Sequence, residues 1–243
     1  MDERAAAITI RGLVKRFKQV EAVALTQEQV VERAVELMAQ AGLEALTLRR
    51  LATDLGVSAP TLYWHVRNKR QLLDLMAEAL VSRVGRSTTP APGQPWWEWL
   101  AERARLQWRA LTSQRDAALV VAGNRPTEAA LPGVEQVLGS LVAVGFPPDE
   151  ALRTILSIGN YVIGCAVEHQ AEAAREPDPE RDARLLERAG ELPQLRAAMA
   201  GLARPGPAAD EAGFEHGLAL LIEGVRANHA QLVTAAAGRP PGG

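Results

Sequence analysis

SAPTLYWHVRNKRQLLDLM, residues 58–76, carries most of what this sequence says about itself. It sets Tyr63, Trp64 and His65 side by side and follows them with Arg67, Lys69 and Arg70. Ser58 is a helix N-cap, able to accept a hydrogen bond from a first-turn N–H, and Pro60 fits that same turn. The helix it opens is short. Leu62 and Val66, four apart, supply its inward face, which leaves Ala59, Pro60, Thr61, Tyr63, Trp64 and His65 largely outward. Immediately upstream, Thr47 caps LRRLATDL (48–55), with Leu48, Leu51, Ala52 and Leu55 inward; Gly56 stops that helix and Val57 plugs the core. Two short helices separated by GVS make a helix-turn-helix. Further upstream, Thr26 and Gln29 form a capping box, and Val30, Ala34, Leu37, Met38 and Ala41 recur at helical spacing before Gly42. Downstream, Asn68, three residues before Gln71, opens a fourth helix that runs to about Arg83.

The major groove of DNA admits an α-helix and presents distinguishable base edges. From Leu46 to Arg70 five cations (Arg49, Arg50, Arg67, Lys69, Arg70) face the single acid Asp54, a local charge of +4 on a chain whose net charge is −2. A nucleic-acid surface must therefore be local, and this is where it lies. Arg49, Lys69 and the N–H groups opening the fourth helix suit phosphates. Tyr63 and His65 reach phosphate oxygens, while Pro60 and Thr61 pack against thymine methyls or base edges. The competing reading has Tyr63 and Trp64 padding a small domain, with Trp64 half in its core. It does not explain a run of outward positions free of acids from 55 to 70.

The rest of the chain reads as all-α. With 243 residues, 47% hydrophobic and 23% charged, it has the length for a small domain joined to a larger one. Strand-like alternation is rare. No apolar run is long enough to span a bilayer, no signal peptide is expected, and a lone Cys165 suits a reducing cytoplasm and excludes a disulfide framework. The expected organisation is a basic arm (1–24), a helix-turn-helix domain (25–70) and a ligand-binding and dimerisation domain (71–243). The arm either touches phosphates beside the main site or is a tail without a role; it also resembles the opening strand of transporter ATPases, but no phosphate loop follows. In the large domain, helices are expected around the tryptophans Trp96, Trp97, Trp99 and Trp108, at 134–144, 146–174, 193–203 and 208–232, with a polar loop over 175–184. His65, His169, His216 and His229 are scattered, and Cys165 sits mid-helix in an apolar stretch, so catalysis is not expected.

ALTLRRLATDLGVSAPTLYWHVRNKRQLLD (45–74) resembles the tetracycline repressor (TetR) family. The likeness continues through RDAALVVAGNRPTE (115–128), GNYVIGCAVE (159–168), LPQLRAA (192–198) and FEHGLALLIEG (214–224), and so spans nearly the whole chain beyond residue 24. It implies a homodimer paired through a four-helix bundle, for which the long helices at 147–170 and 208–230 are the candidates. Gly159, Gly164, Gly213, Gly217 and Gly224 would let their backbones approach. Such a dimer holds two recognition helices one DNA turn apart, roughly 34–36 Å, and reads a palindromic double-stranded operator.

Set against the family's tetracycline-binding member, Arg49, Pro60, Thr61, Tyr63, Trp64, His65 and Lys69 match, whereas Ala59 stands for a base-reading glutamine and Leu48 for a threonine. The implied DNA-binding set is thus Arg49, Ala59, Pro60, Thr61, Tyr63, Trp64, His65 and Lys69, with an altered operator. The pocket departs further. Val121 replaces the imidazole that binds magnesium; Gly85 and Arg103 replace the polar pair on the drug, Gln107 a stacking phenylalanine, Val137 a glutamine and Asn124 a threonine. Gly123, Arg125, Pro126, Val134 and Glu168 are kept. A valine offers magnesium no donor. The expected effector is therefore a metal-free small organic molecule, with no cofactor. Its expected lining is Val121, Val134, Val137, Leu195 and Met199, plus Arg103, Gln107, Asn124, Arg125, Pro126 and Glu168. The expected function is a ligand-released transcriptional repressor, probed against the alternative of an effector-independent architectural DNA-binding protein.

Overall fold

The computed structural model describes residues 25–82, 87–201 and 207–237. The basic arm, Arg83 and Gly85 fall outside those residues. Among the described residues every regular element is helical: α1 (Gln27–Ala41), α2 (Leu48–Asp54), α3 (Ala59–Tyr63), α4 (Lys69–Ser82), α5 (Trp96–Thr112), α6 (Ala117–Val121), a 3-10 turn (Glu128–Ala130), α7 (Leu131–Val142), α8 (Pro148–Ala173), α9 (Pro179–Gly190), α10 (Pro193–Gly201) and α11 (Pro207–Ala237).

The first four helices begin where their caps dictate. Thr26 Oγ1 accepts from the Gln29 N–H at 3.1 Å while Gln29 Oε1 accepts from the Thr26 N–H at 2.9 Å. Thr47 Oγ1 accepts from the Arg50 N–H at 3.1 Å and Ser58 Oγ from the Thr61 N–H at 3.3 Å. At α4 the cap is doubled: Asn68 Oδ1 accepts from the Gln71 N–H at 2.9 Å, and Gln71 Oε1 reaches back to the Arg67 N–H at 2.7 Å. Each such cap contributes about 1 kcal/mol.

Two hydrophobic clusters follow. The N-terminal one joins Val30, Ala34 and Met38 of α1 to Leu51, Leu62, Val66, Leu72, Met76 and Leu80, and thus continues along α4 well past residue 70. It also takes in Ala117 and Val120, which arrive on α6 from far along the chain. The larger cluster packs α5, α7, α8 and α11 together. Trp99, Leu111, Leu141, Val162 and Leu218 are almost fully buried in it. Trp108 stacks on Phe214 with ring centroids 4.6 Å apart. Trp96, Trp99 and Trp108 are core; Trp97 is partly buried under the Arg226 guanidinium, 4.5 Å from its ring. Val121, at the end of α6, packs against both clusters.

The joint between the clusters is held by backbone geometry. Asp116, just before α6, adopts a left-handed conformation (φ 61°), which costs a non-glycine residue roughly 1–2 kcal/mol. Its Oδ2 accepts from the Leu43 N–H at 2.7 Å, beside Gly42 at φ 86°. A β-carbon at Gly42 would stand 3.0 Å from Arg115 Nη2, so glycine both ends α1 and admits this contact.

One sequence expectation fails. The polar run 175–184 is not wholly a loop, since α9 opens at Pro179. Asp178 caps it, Oδ1 accepting from the Arg181 N–H at 3.0 Å, and proline is tolerated in the first turn. The run is polar because almost every side of α9 faces solvent, not because it is irregular.

Candidate functional site

On α3 the outward reading holds. Trp64 is 87% exposed and Tyr63 53%, so neither ring pads the core, and Trp64 is not half core. Ala59, Pro60 and Thr61 are exposed beside them; His65 is half-buried. The His65 carbonyl accepts from Gln27 Nε2 at 2.8 Å, which fixes the end of α3 to α1. Arg49 on α2 and Lys69 on α4 are exposed. Asp54, the one acid in the cationic stretch, is engaged by Arg33, whose hydrogen bond holds that carboxyl below its usual range. Neutralised in this way, it opposes an approaching phosphate less. Arg70 turns the other way. Its Nη2 donates to the Gly123 carbonyl at 2.8 Å and its Nε lies 3.4 Å from Asp74, so one of the five cations serves the joint to the large domain.

Behind that joint lies a cavity of about 460 Å³. Seven of the residues proposed from sequence line it: Arg103, Val121, Asn124, Arg125, Pro126, Val134 and Val137. Four do not. Gln107 is half-buried on α5 outside the lining. Glu168 borders a second cavity, between α8 and α11. Leu195 and Met199 stand 45% and 38% exposed on α10. Sequence reading missed a third wall, made by Asp74, Ala77, Glu78 and Val81 of α4, with Ile155 of α8 closing the other side. The signal was present. Leu72, Met76 and Leu80 form one stripe of α4, while Asp74, Glu78 and Val81 recur at helical spacing on another face.

The polar groups of the cavity are unevenly satisfied. Glu78 accepts from the Thr127 hydroxyl; Asp74 lies 3.4 Å from Arg70 Nε, but its Oδ1 is buried without a hydrogen bond. Asn124 Oδ1 is buried with no hydrogen-bond partner. Arg103 donates to the Ser87 carbonyl and lies over the Trp99 ring, 5.2 Å from its centroid. Burial pushes its guanidinium pKa down.

Comparison with known proteins agrees with this layout. The tetR family of bacterial regulatory proteins matches residues 30–76, and the tetracyclin repressor-like C-terminal domain matches residues 89–229. The tetracycline repressor protein class C of Escherichia coli is 37% identical over 202 residues, covering 83% of this chain and 90% of that protein. Among solved structures, a tetracycline repressor variant from Acinetobacter baumannii AYE in complex with minocycline is 34% identical, with a TM-score of 0.66 over 84% of this chain and 98% of that one. Apo ActR from Streptomyces coelicolor is 26% identical, with a TM-score of 0.71 over 86% and 98%. The chain belongs to the TetR family of bacterial regulatory proteins, transcriptional repressors in which a helix-turn-helix domain is joined to a ligand-binding helical domain.

Proposed function

We propose that the protein is a cytoplasmic homodimeric repressor that holds a palindromic operator and is released by a metal-free organic effector bound in the 460 Å³ cavity. The observation that carries this is Val121. It lines the cavity, packs against both hydrophobic clusters, and ends the same short helix whose Ala117 and Val120 sit in the DNA-binding core. A ligand pressing on Val121 therefore biases the placement of α4 and, through it, of α3. Close-packed cores pass on such displacements rather than absorb them. A cavity within the usual range for small-molecule sites favours effector control over a purely architectural role. Val121 brings no oxygen or nitrogen to a metal, which supports a chelate-free effector. By family likeness, the regulated gene encodes an exporter or a modifying enzyme.

The dimer reading draws on α8 and α11. Leu152, Leu156 and Leu220 are 41%, 55% and 64% exposed along them. Beyond the adjoining chain and backbone of their own helix, Gly159, Gly164, Gly213 and Gly224 have nothing within 4 Å of where a β-carbon would stand. A second copy seated there would bury the leucines and use the glycines for close approach.

Selection of bound duplexes from a random pool tests the proposal. The expected product is an inverted repeat whose half-sites lie one helical turn apart, roughly 34–36 Å, bound by two protomers. A single unrepeated site, or binding by a monomer, overturns it. In the same assay tetracycline with magnesium should leave the complex intact; magnesium-dependent release would contradict the reading of Val121.

A further inference from the structure

Arg103 is the anomaly of the cavity. The surrounding wall is largely aliphatic: Ala77, Val121, Val134, Val137 and Ile155. Arginine stays protonated in proteins, so burial leaves a charge that must find partners. The partners present are neutral, the Ser87 carbonyl and the face of Trp99. No carboxylate among the described residues pairs with it. Two acids also stand in the lining: Glu78 accepts from the Thr127 hydroxyl, and Asp74 lies 3.4 Å from Arg70 Nε with its Oδ1 buried and without a hydrogen bond. Asn124, in the same lining, has its Oδ1 buried without a hydrogen-bond partner. A largely apolar chamber with a half-buried guanidinium that lacks a carboxylate partner, and with two unmet acceptors, Asn124 Oδ1 and Asp74 Oδ1, is complementary to a particular kind of molecule.

We propose that the effector is an organic acid: a largely apolar, ring-sized frame whose anionic group pairs with Arg103 and whose hydroxyl or N–H donates to Asn124. This rests on the reading of the 460 Å³ cavity as the effector site. The planar fork of arginine suits a carboxylate better than the point charge of lysine does. The aliphatic wall supplies affinity for the frame, and the guanidinium discriminates against neutral analogues of the same shape.

Two fluorescent probes with nearly the same aromatic skeleton test this on the full-length protein: anionic 1-anilinonaphthalene-8-sulfonate and neutral N-phenyl-1-naphthylamine. Both are titrated into the parent, Arg103→Gln, Arg103→Lys and Val134→Trp. The anion should bind Arg103→Gln roughly 10- to 100-fold more weakly than the parent, as for loss of a charge-assisted hydrogen bond. The neutral probe should bind both alike, and Arg103→Lys should restore part of the anion's affinity. Val134→Trp, which fills the cavity, should weaken both probes. If Val134→Trp weakens both while Arg103→Gln affects the anion no more than the neutral probe, the preference for an acid is wrong and the cavity reading stands. If Val134→Trp leaves both probes unchanged, they bind elsewhere; the cavity reading falls, and this proposal with it.

Discussion

Gly217 on α11 packs closely against Tyr161 of α8. A β-carbon there would stand 2.2 Å from Tyr161 Oη, 2.9 Å from Cζ and 3.0 Å from Cε2. Tyr161 cannot simply swing aside, because its hydroxyl donates to the Phe214 carbonyl at 2.8 Å and its ring stacks on Phe214. Burial accordingly pushes its phenol pKa up. Gly217→Ala therefore brings three effects. Relieving the overlap costs roughly 1–3 kcal/mol in strain. Displacing the ring gives up a hydrogen bond of about 1 kcal/mol. Replacing glycine by alanine within a helix returns about 1 kcal/mol. The last two cancel, so the net destabilisation is the strain. In a protein of this size that lowers Tm by roughly 3 to 10 °C. Thermal unfolding should be followed by circular dichroism at one fixed protein concentration, because self-association, where it occurs, makes Tm concentration-dependent. The decisive comparison is with the Tyr161→Ala background. With the ring gone, Gly217→Ala should turn neutral or mildly stabilising, so the sign of its effect reverses and the pair couples strongly. A Tm that rises on Gly217→Ala in the parent, or strictly additive single effects, would refute the close-approach argument.

Two further outcomes are expected at the DNA-binding end. Lys69→Ala should weaken operator binding about equally across operator variants and reduce the slope of log affinity against log salt by roughly one; an unchanged slope in fluorescence anisotropy removes Lys69 from the phosphate contacts. Arg70→Ala breaks the hydrogen bond to the Gly123 carbonyl, so amide exchange over residues 122–127 should quicken about fivefold, the equivalent of about 1 kcal/mol; identical exchange would mean the tether does not hold that segment.

The N-terminal architecture is legible from residue order because it is built from local rules. Thr26, Thr47, Ser58 and Asn68 each satisfy a backbone N–H three residues on, and Gly42 ends α1 in a conformation that glycine readily adopts. Leu62 and Val66, four apart, leave Tyr63 and Trp64 on the outside without reference to anything distant. Polarity misled at 175–184, since a helix wetted on nearly every side has the composition of a loop, and only its Asp178–Pro179 start distinguishes it. Local rules stop where partners come from far along the chain. That Ala117 and Val120 complete the core of the first domain, that Arg70 donates to the Gly123 carbonyl, and that α4 lends a second face to the cavity all follow from long-range packing. So does the position of Arg103: a cation is visible in any sequence, but whether a carboxylate stands beside it is set by which helices the folded chain brings together.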